Sequence, residues 1–251
     1  MSTSRRNFLR KSLASATGLT AMSMFPPDIF SRDFKQKHTH EEVILKPVKR
    51  PSPANSIKFS VIGLNHGHIY GMTDALTGGG GKLVSVYARE PELLAGFTKR
   101  YPDVKVARSE EEILDDNSVK LVASASIPVD RAPLGIRVMM AGKDFMADKP
   151  GIVTLSQLKE VKKTQKQTGR IYSIMYSERL GNPASVKAGE LIRDGAIGKV
   201  VQTIGLGPHR MNPSTRPDWF FDPGKAGGIL CDIGSHQCVK FLFYTGSTEE
   251  E

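Results

Sequence analysis

The feature that most constrains this chain is an alternation that starts at Ile57 and continues to Ala147. Apolar, strand-like runs occur at Ile57–Ile62, Lys82–Tyr87, Val104–Ala107, Leu121–Ser126 and Asp144–Ala147. Between them lie segments with helical character at Ile69–Leu76, Pro91–Tyr101, Ser109–Leu114 and Arg131–Ala141. Ser109 and Glu112 stand at capping-box spacing at the start of the third of these. Strand and helix alternating in this way imply right-handed crossovers and a parallel, doubly wound sheet of the Rossmann kind. The expected class is α/β.

In such a sheet the first strand-to-helix turn is where a dinucleotide binds. Here it reads Gly63-Leu64-Asn65-His66-Gly67-His68, against an ideal G-x-G-x-x-G. Gly63 holds the tight-turn position. Asn65 takes the place of the second glycine, and asparagine tolerates left-handed backbone better than most residues. His68 replaces the third. An ordinary turn with two solvent-facing histidines is the alternative. After the second strand comes Ala88-Arg89-Glu90, where an acid for the ribose is usual. Arg89 suits a 2′-phosphate and hence NADP; equally, it stacks on adenine or is exposed while Glu90 serves the ribose.

Two later motifs carry chemistry. Asp148-Lys149-Pro150 follows the fifth strand directly, at the carboxyl edge of the sheet. Gly227-Gly228-Ile229-Leu230-Cys231-Asp232-Ile233-Gly234-Ser235-His236 precedes an apolar helix. Asp232 and His236 are four apart, so a helix puts both on one face.

A degenerate Rossmann turn, a lysine motif after the fifth strand and this Gly-Gly…Asp-x-Gly-x-His run together resemble the glucose–fructose oxidoreductase/inositol dehydrogenase (Gfo/Idh/MocA) family. Residues 57–244 carry the likeness, with Asp148 in place of the usual glutamate and smaller echoes at Tyr176–Arg179 and Leu191–Val200. Ser126–Arg131 departs from the family's T-P-x-x-x-H pattern. The resemblance implies NAD or NADP as cofactor and a sugar or polyol as substrate. It places Gly63, Asn65, His66, Gly67 and His68 against the dinucleotide, together with Arg89, Ser126, Pro128 and Lys149. His236 is then the base that takes a hydroxyl proton, Asp232 fixes it or binds a neighbouring hydroxyl, and Lys149 stabilises the developing alkoxide. The bland alternative makes His236 a packed helix histidine and Lys149 a surface lysine. Arg179 and Trp219, with His209 and Arg216, line a sugar site or serve packing. An NAD-dependent glycoside hydrolase and a non-catalytic sugar- or cofactor-binding protein are the rival functions.

At the N-terminus, Ser4-Arg5-Arg6-Asn7-Phe8-Leu9-Arg10-Lys11 precedes a mildly apolar run at Ser12–Phe25. It resembles a twin-arginine export signal, which implies the translocase as partner and a periplasmic or exported product. About 14 apolar residues fall short of the roughly 20 that span a bilayer, although a signal-anchor stays open. The expected division is 1–30 signal, 31–56 proline-rich linker, 57–150 dinucleotide domain and 151–251 the start of an α+β domain with a mostly antiparallel sheet. That sheet has clear strand patterns only at Arg170–Tyr176 and Val200–Leu206, too few to bury a face. The chain is therefore expected to be a fragment, or a short form completed by another chain, with homo-oligomerisation through the C-terminal sheet at full length.

Composition excludes more than it selects. The formal charge is +9. Four positive residues and one negative precede residue 31, so the remainder carries about +6, scattered and without a nucleic-acid motif. Cys231 and Cys238 sit seven apart on one helix, about 10 Å of rise, too far for a disulfide, and read as buried thiols. Without a CxxC pair, and with only His38 and His40 paired in the linker, no metal is expected. The methionines, including Met139, Met140, Met175 and Met211, read as core filler.

Overall fold

The computed structural model describes residues 56–207 and 209–247. Its first part is β1 (Lys58–Ile62), α1 (His68–Gly78), β2 (Lys82–Tyr87), α2 (Pro91–Arg100), β3 (Lys105–Val106) and α3 (Glu110–Leu114). It continues with β4 (Leu121–Ser124), α4 (Pro128–Met140), β5 (Asp144–Asp148), α5 (Leu155–Thr168) and β6 (Tyr172–Met175). The six strands lie in the order β3-β2-β1-β4-β5-β6. Every neighbouring pair is parallel. The order reverses beside β1, and a doubly wound sheet opens its ligand crevice at such a switch point.

Side chains alternate across the pleat, so each strand serves two layers. Phe59, Val61, Leu121 and Ala123 pack with Ile69, Met72 and Phe97 of α1 and α2. Ile62, Val122, Phe145 and Ala147 pack on the other face with Ile113, Leu134 and Val138 of α3 and α4. Full burial of each large member stabilises the fold by about 1.5–3 kcal/mol. Ser60 and Ser85 are buried among them and satisfy each other at 2.7 Å.

Local chemistry sets the helix ends. Ser109 caps α3 by accepting from the Glu112 amide. The Glu112 carboxylate reaches the amide of Arg108 at 2.8 Å rather than closing a full capping box. Helix α4 begins at Pro128, earlier than its apolar pattern suggests, because proline is pre-set for the first helical turn. Pro133 then lies inside α4 and offers no N–H to the Val129 carbonyl. The side-chain amide of Gln157 donates to that oxygen instead, at 2.8 Å, tying α5 to α4.

Beyond residue 150 the structure departs from expectation. The run Arg170–Tyr176 does not open an antiparallel sheet; its core becomes β6 and pairs parallel with β5. The reason is α5, whose Thr154 cap and left-handed Gly169 make it one more crossover of the same sheet. Val200–Leu206 forms no strand, and Val201, Ile204 and Leu206 stand 90%, 80% and 86% exposed. Around it come α6 (Ser177–Leu180), α7 (Pro183–Arg193), 3-10 turns at Pro213–Thr215 and Asp218–Phe221, and α8 (Pro223–Ala226). A π-turn (Leu230–Gly234) then runs into α9 (Ser235–Thr245). No antiparallel pairing occurs among the described residues.

The thiols also differ from the reading. Cys231 is half-buried and Cys238 exposed, both free. Met139 is buried, but Met140 and Met211 face solvent. No described helix is long and apolar enough to cross a membrane. The twin-arginine segment, the linker and His38 and His40 lie outside the described residues.

Candidate active site

Gly63 is required twice over. Its φ is +83°, and a Cβ there would lie 2.7 Å from the Cβ of Ser126. The turn is pinned at both sides: the Gly63 amide donates to Tyr87, and the His66 amide to Ala125, each at 2.9 Å. Helix α1 then starts with Gly67 as its cap, with no side-chain capping bond and no acid in its first turn. A Cβ at Gly67 would meet open space. The positive end of a helix, reached across a bare glycine, suits an anionic pyrophosphate.

Asn65 does not use left-handed backbone; among the described residues Asn212 is the non-glycine with positive φ. Its side-chain amide donates to Glu90 at 2.7 Å instead. A cleft of about 200 Å³ opens here, lined by Gly63, Asn65, Arg89, Glu90, Ser126 and Arg137 among others. Glu110 holds Arg137 and, at 3.5 Å, Arg89 at its far end. Two acids, Glu90 and Glu110, and two arginines thus share this end of the cleft, which suits a dinucleotide with or without a 2′-phosphate. Pro128 is buried in the first turn of α4, and its neighbour Ile127 lines the cleft.

His66 and His68 both reach Asp148, although His68 remains partly exposed. Their Nδ1 atoms lie 3.0 Å from Asp148 Oδ2 and Oδ1 respectively. Burial alone would push the Asp148 carboxyl up, but the two imidazoles and the Arg131 guanidinium hold it well below the usual range. Burial likewise pushes the His66 imidazole down. Arg131 itself is almost wholly buried. It donates to the carbonyls of Ser126 (2.7 Å), Asp148 (3.0 Å), Lys149 (2.7 Å) and Pro150 (3.1 Å). Sequence reasoning missed this staple, although Arg131 was visible as the residue replacing the histidine of the T-P-x-x-x-H pattern.

What the staple holds is Lys149, whose peptide bond to Pro150 is cis. Only 6% of Lys149 is exposed, so it is not a surface lysine. Its ammonium pairs with Asp232, which the π-turn delivers from the far end of the chain. Gly227 and Gly228 make that approach with φ near +80°, and a Cβ on Gly227 would strike Val153 at 2.7 Å. His236 follows in the first turn of α9 and is 2% exposed. Its Nδ1 is buried without a hydrogen-bond partner. Burial pushes the imidazole down, the Glu178 carboxylate works against this, and the Lys149 charge adds to it. The three catalytic candidates are thus brought together.

Glu178 is a site residue that sequence reasoning overlooked beside Arg179. Its carboxylate accepts from Lys240 at 2.6 Å and lies 3.2 Å from His209 Nε2 and 3.9 Å from His236 Nε2. Arg179 places its guanidinium 4.2 Å over the Phe243 ring, a packing contact with α9. Arg216 similarly covers Phe220. Trp219, half-buried, meets the His66 ring edge-on at 6.4 Å, which sets it beside the dinucleotide turn.

A doubly wound sheet with an anion-ready first turn and a buried lysine at its carboxyl edge defines a dinucleotide-binding protein. More specifically, the chain belongs to the GFO/IDH/MocA family. Residues 57–176 match the model described as "Oxidoreductase family, NAD-binding Rossmann fold", and residues 185–250 match the family's C-terminal domain. The fold is similar to that of an oxidoreductase from Erwinia carotovora atroseptica SCRI1043, with 44% identity and a TM-score of 0.75. That match covers 77% of this chain and 58% of the other. Scyllo-inositol 2-dehydrogenase (NADP(+)) of Bacillus subtilis is 26% identical over 54% of this chain and 37% of its own length. Levoglucosan dehydrogenase of Pseudarthrobacter phenanthrenivorans is 28% identical over 58% and 38%. The chain therefore spans less than two fifths of these curated relatives.

Proposed function

We propose that this chain carries the dinucleotide site and the catalytic groups of an NAD(P)-dependent oxidoreductase that acts on a secondary alcohol of a sugar or polyol. The observation that carries the reading is the pairing of buried Lys149 with half-buried Asp232, with His236 one helical turn further on and one of its ring nitrogens unpartnered. A bound nicotinamide supplies a hydride acceptor. The chain's own residues do the rest. Lys149, oriented by Asp232, donates a hydrogen bond to the alcohol oxygen and stabilises the negative charge that develops there. Neutral His236 takes the hydroxyl proton as the carbonyl forms. Relatives named as dehydrogenases of inositol, xylose and levoglucosan support the substrate class.

The test is oxidation of a panel of sugars and polyols with NAD⁺ or NADP⁺, followed through the reduced cofactor. Lys149→Ala is expected to lower kcat/KM by about 10²–10³-fold while dinucleotide binding persists. Unchanged turnover would overturn the role of Lys149. Release of an aglycone without net reduced cofactor would replace the dehydrogenase by a glycoside hydrolase. Export by the twin-arginine route rests on Ser4–Lys11; replacing Arg5 and Arg6 by lysine is expected to retain the protein in the cytoplasm.

A further inference from the structure

Three side chains beneath the dinucleotide turn converge in a way that hydrogen bonding alone does not explain. His66 and His68 flank Gly67 at the start of α1, while Asp148 ends β5, some 80 positions away in sequence. One donor atom from each lies within 4.8 Å of the others. The His68 contact to Asp148 Oδ1, at 3.0 Å, is a sound hydrogen bond in one tautomer. The His66 contact is not. The backbone amide of His68 reaches His66 Nδ1 at 3.4 Å. Yet that nitrogen sits 3.0 Å from Asp148 Oδ2, an oxygen buried with no hydrogen-bond partner. A buried carboxylate oxygen whose charge is met only by the Arg131 guanidinium, at 3.3 Å, therefore lies beside the two ring nitrogens.

We propose that His66, His68 and Asp148 form a binding site for a divalent first-row transition metal ion. Donors around an ion with bonds of about 2.0–2.2 Å sit roughly 3.3 Å apart in a tetrahedral shell. The three donors, one from each side chain, already lie within 4.8 Å of one another, close to that spacing. Two imidazoles and a single carboxylate suit zinc, iron, cobalt or nickel, whereas magnesium and calcium take oxygen-rich shells. Three protein ligands leave at least one position open, on the side where the His68 side chain is 43% exposed. The Arg131 guanidinium, 3.3 Å from Asp148 Oδ2, neutralises part of the carboxylate, so affinity depends chiefly on the imidazoles. No linear motif displays this set, because the third ligand arrives only when β5 is laid beside β4.

The experiment titrates the metal-stripped full chain with Zn²⁺ alone by calorimetry, and with Co²⁺ followed by its visible absorption. One Zn²⁺ per chain is expected at this site, with Co²⁺ spectra of a nitrogen–oxygen shell. His68→Gln and His66→Ala should each weaken binding at least about tenfold, since even partners that merely orient a ligand are worth that much. His68 is partly exposed, so His68→Gln is expected to keep the wild-type melting temperature and circular dichroism. Should His66→Ala misfold, His68→Gln alone decides. Wild-type affinity and stoichiometry in the folded variant, with His38, His40, His209 and His236 intact, would overturn the proposal. So would failure of the wild type to take up either ion at millimolar concentration.

Discussion

Between Lys58 and Met175 each strand finds its ladder partner within the same stretch of chain. Between Val200 and Leu206 the apolar side chains alternate just as convincingly, yet no partner strand meets them and they stand in solvent. The contrast lies in how each architecture closes. A parallel crossover unit completes itself in about 30 residues, so six strands assemble from local steps. An antiparallel face needs three or more strands before it buries anything. The loose second region still delivers Asp232 and His236 to the rigid first one. It does so through the ion pair of Lys149 with Asp232 and the buried Ala226 beside it, while the Lys240–Glu178 pair braces the second region from within.

If rigidity at the sheet's edge positions Lys149, the largest effect belongs to Arg131. Arg131→Met leaves the Asp148 carboxylate without its guanidinium and four carbonyls without a donor. A cost of about 3–5 kcal/mol is expected in chemical denaturation. Arg131→Lys keeps the charge but not the planar fork, and should recover only part of it. A loss below about 1 kcal/mol for the methionine variant would show that the staple is redundant.

His236 tests the other region. His236→Asn is expected to lower kcat by about 10²–10⁴-fold, the range for a lost general base. The pH profile has a definite sign. An unperturbed imidazole titrates near 6.5, and burial with the Lys149 charge pushes His236 below that. Oxidation needs the neutral ring, so the rate holds as pH falls through 6.5 and drops only at lower pH. Glu178 works in the opposite direction, because its carboxylate favours the charged ring. Glu178→Gln should therefore move the acid limb of kcat/KM still lower. A limb that moves upward, or does not move, removes Glu178 from the electrostatics of the site.

These side chains also mark where sequence reading reached and where it stopped. Lys82–Tyr87 was bounded correctly because an apolar run between turn residues has few other readings. That Lys149, Asp232 and His236 belong to the motifs worth following was legible because spacing and motif order survive in the linear text; the pairing of Lys149 with Asp232 came from the structure. Arg170–Tyr176 was identified as a strand but assigned to the wrong sheet, since periodicity reports burial and not the partner. Val200–Leu206 shows the same limit from the other side: the pattern is present and the ladder is not. The staple made by Arg131, the place of Glu178 and the convergence of His66 and His68 on Asp148 were invisible, because each depends on contacts between residues far apart in the chain.

Gly63 offers an intermediate effect within the rigid region. Gly63→Ala puts a methyl group 2.7 Å from the Ser126 side chain at a φ of +83°, so both contact and backbone oppose it. About 1–3 kcal/mol of stability should be lost, with a rise in the dinucleotide KM. A variant that melts normally yet binds dinucleotide poorly would locate the strain at the turn alone.

The smallest effect is the one that most directly separates the two regions. Ile113 is packed against β4 and α4 with almost no exposure, and Ile113→Ala should cost about 2–5 kcal/mol. Leu206 has an isomeric side chain of the same size, but here it is bathed in water, and Leu206→Ala should change stability by no more than about 0.5 kcal/mol. Side-chain type is similar in the two cases; only the surroundings differ. Equal costs would mean that the segment after Val200 is packed as tightly as the sheet, by this chain or by a second copy. Dilution would then distinguish the two, because a contact between copies loses its contribution as protein concentration falls.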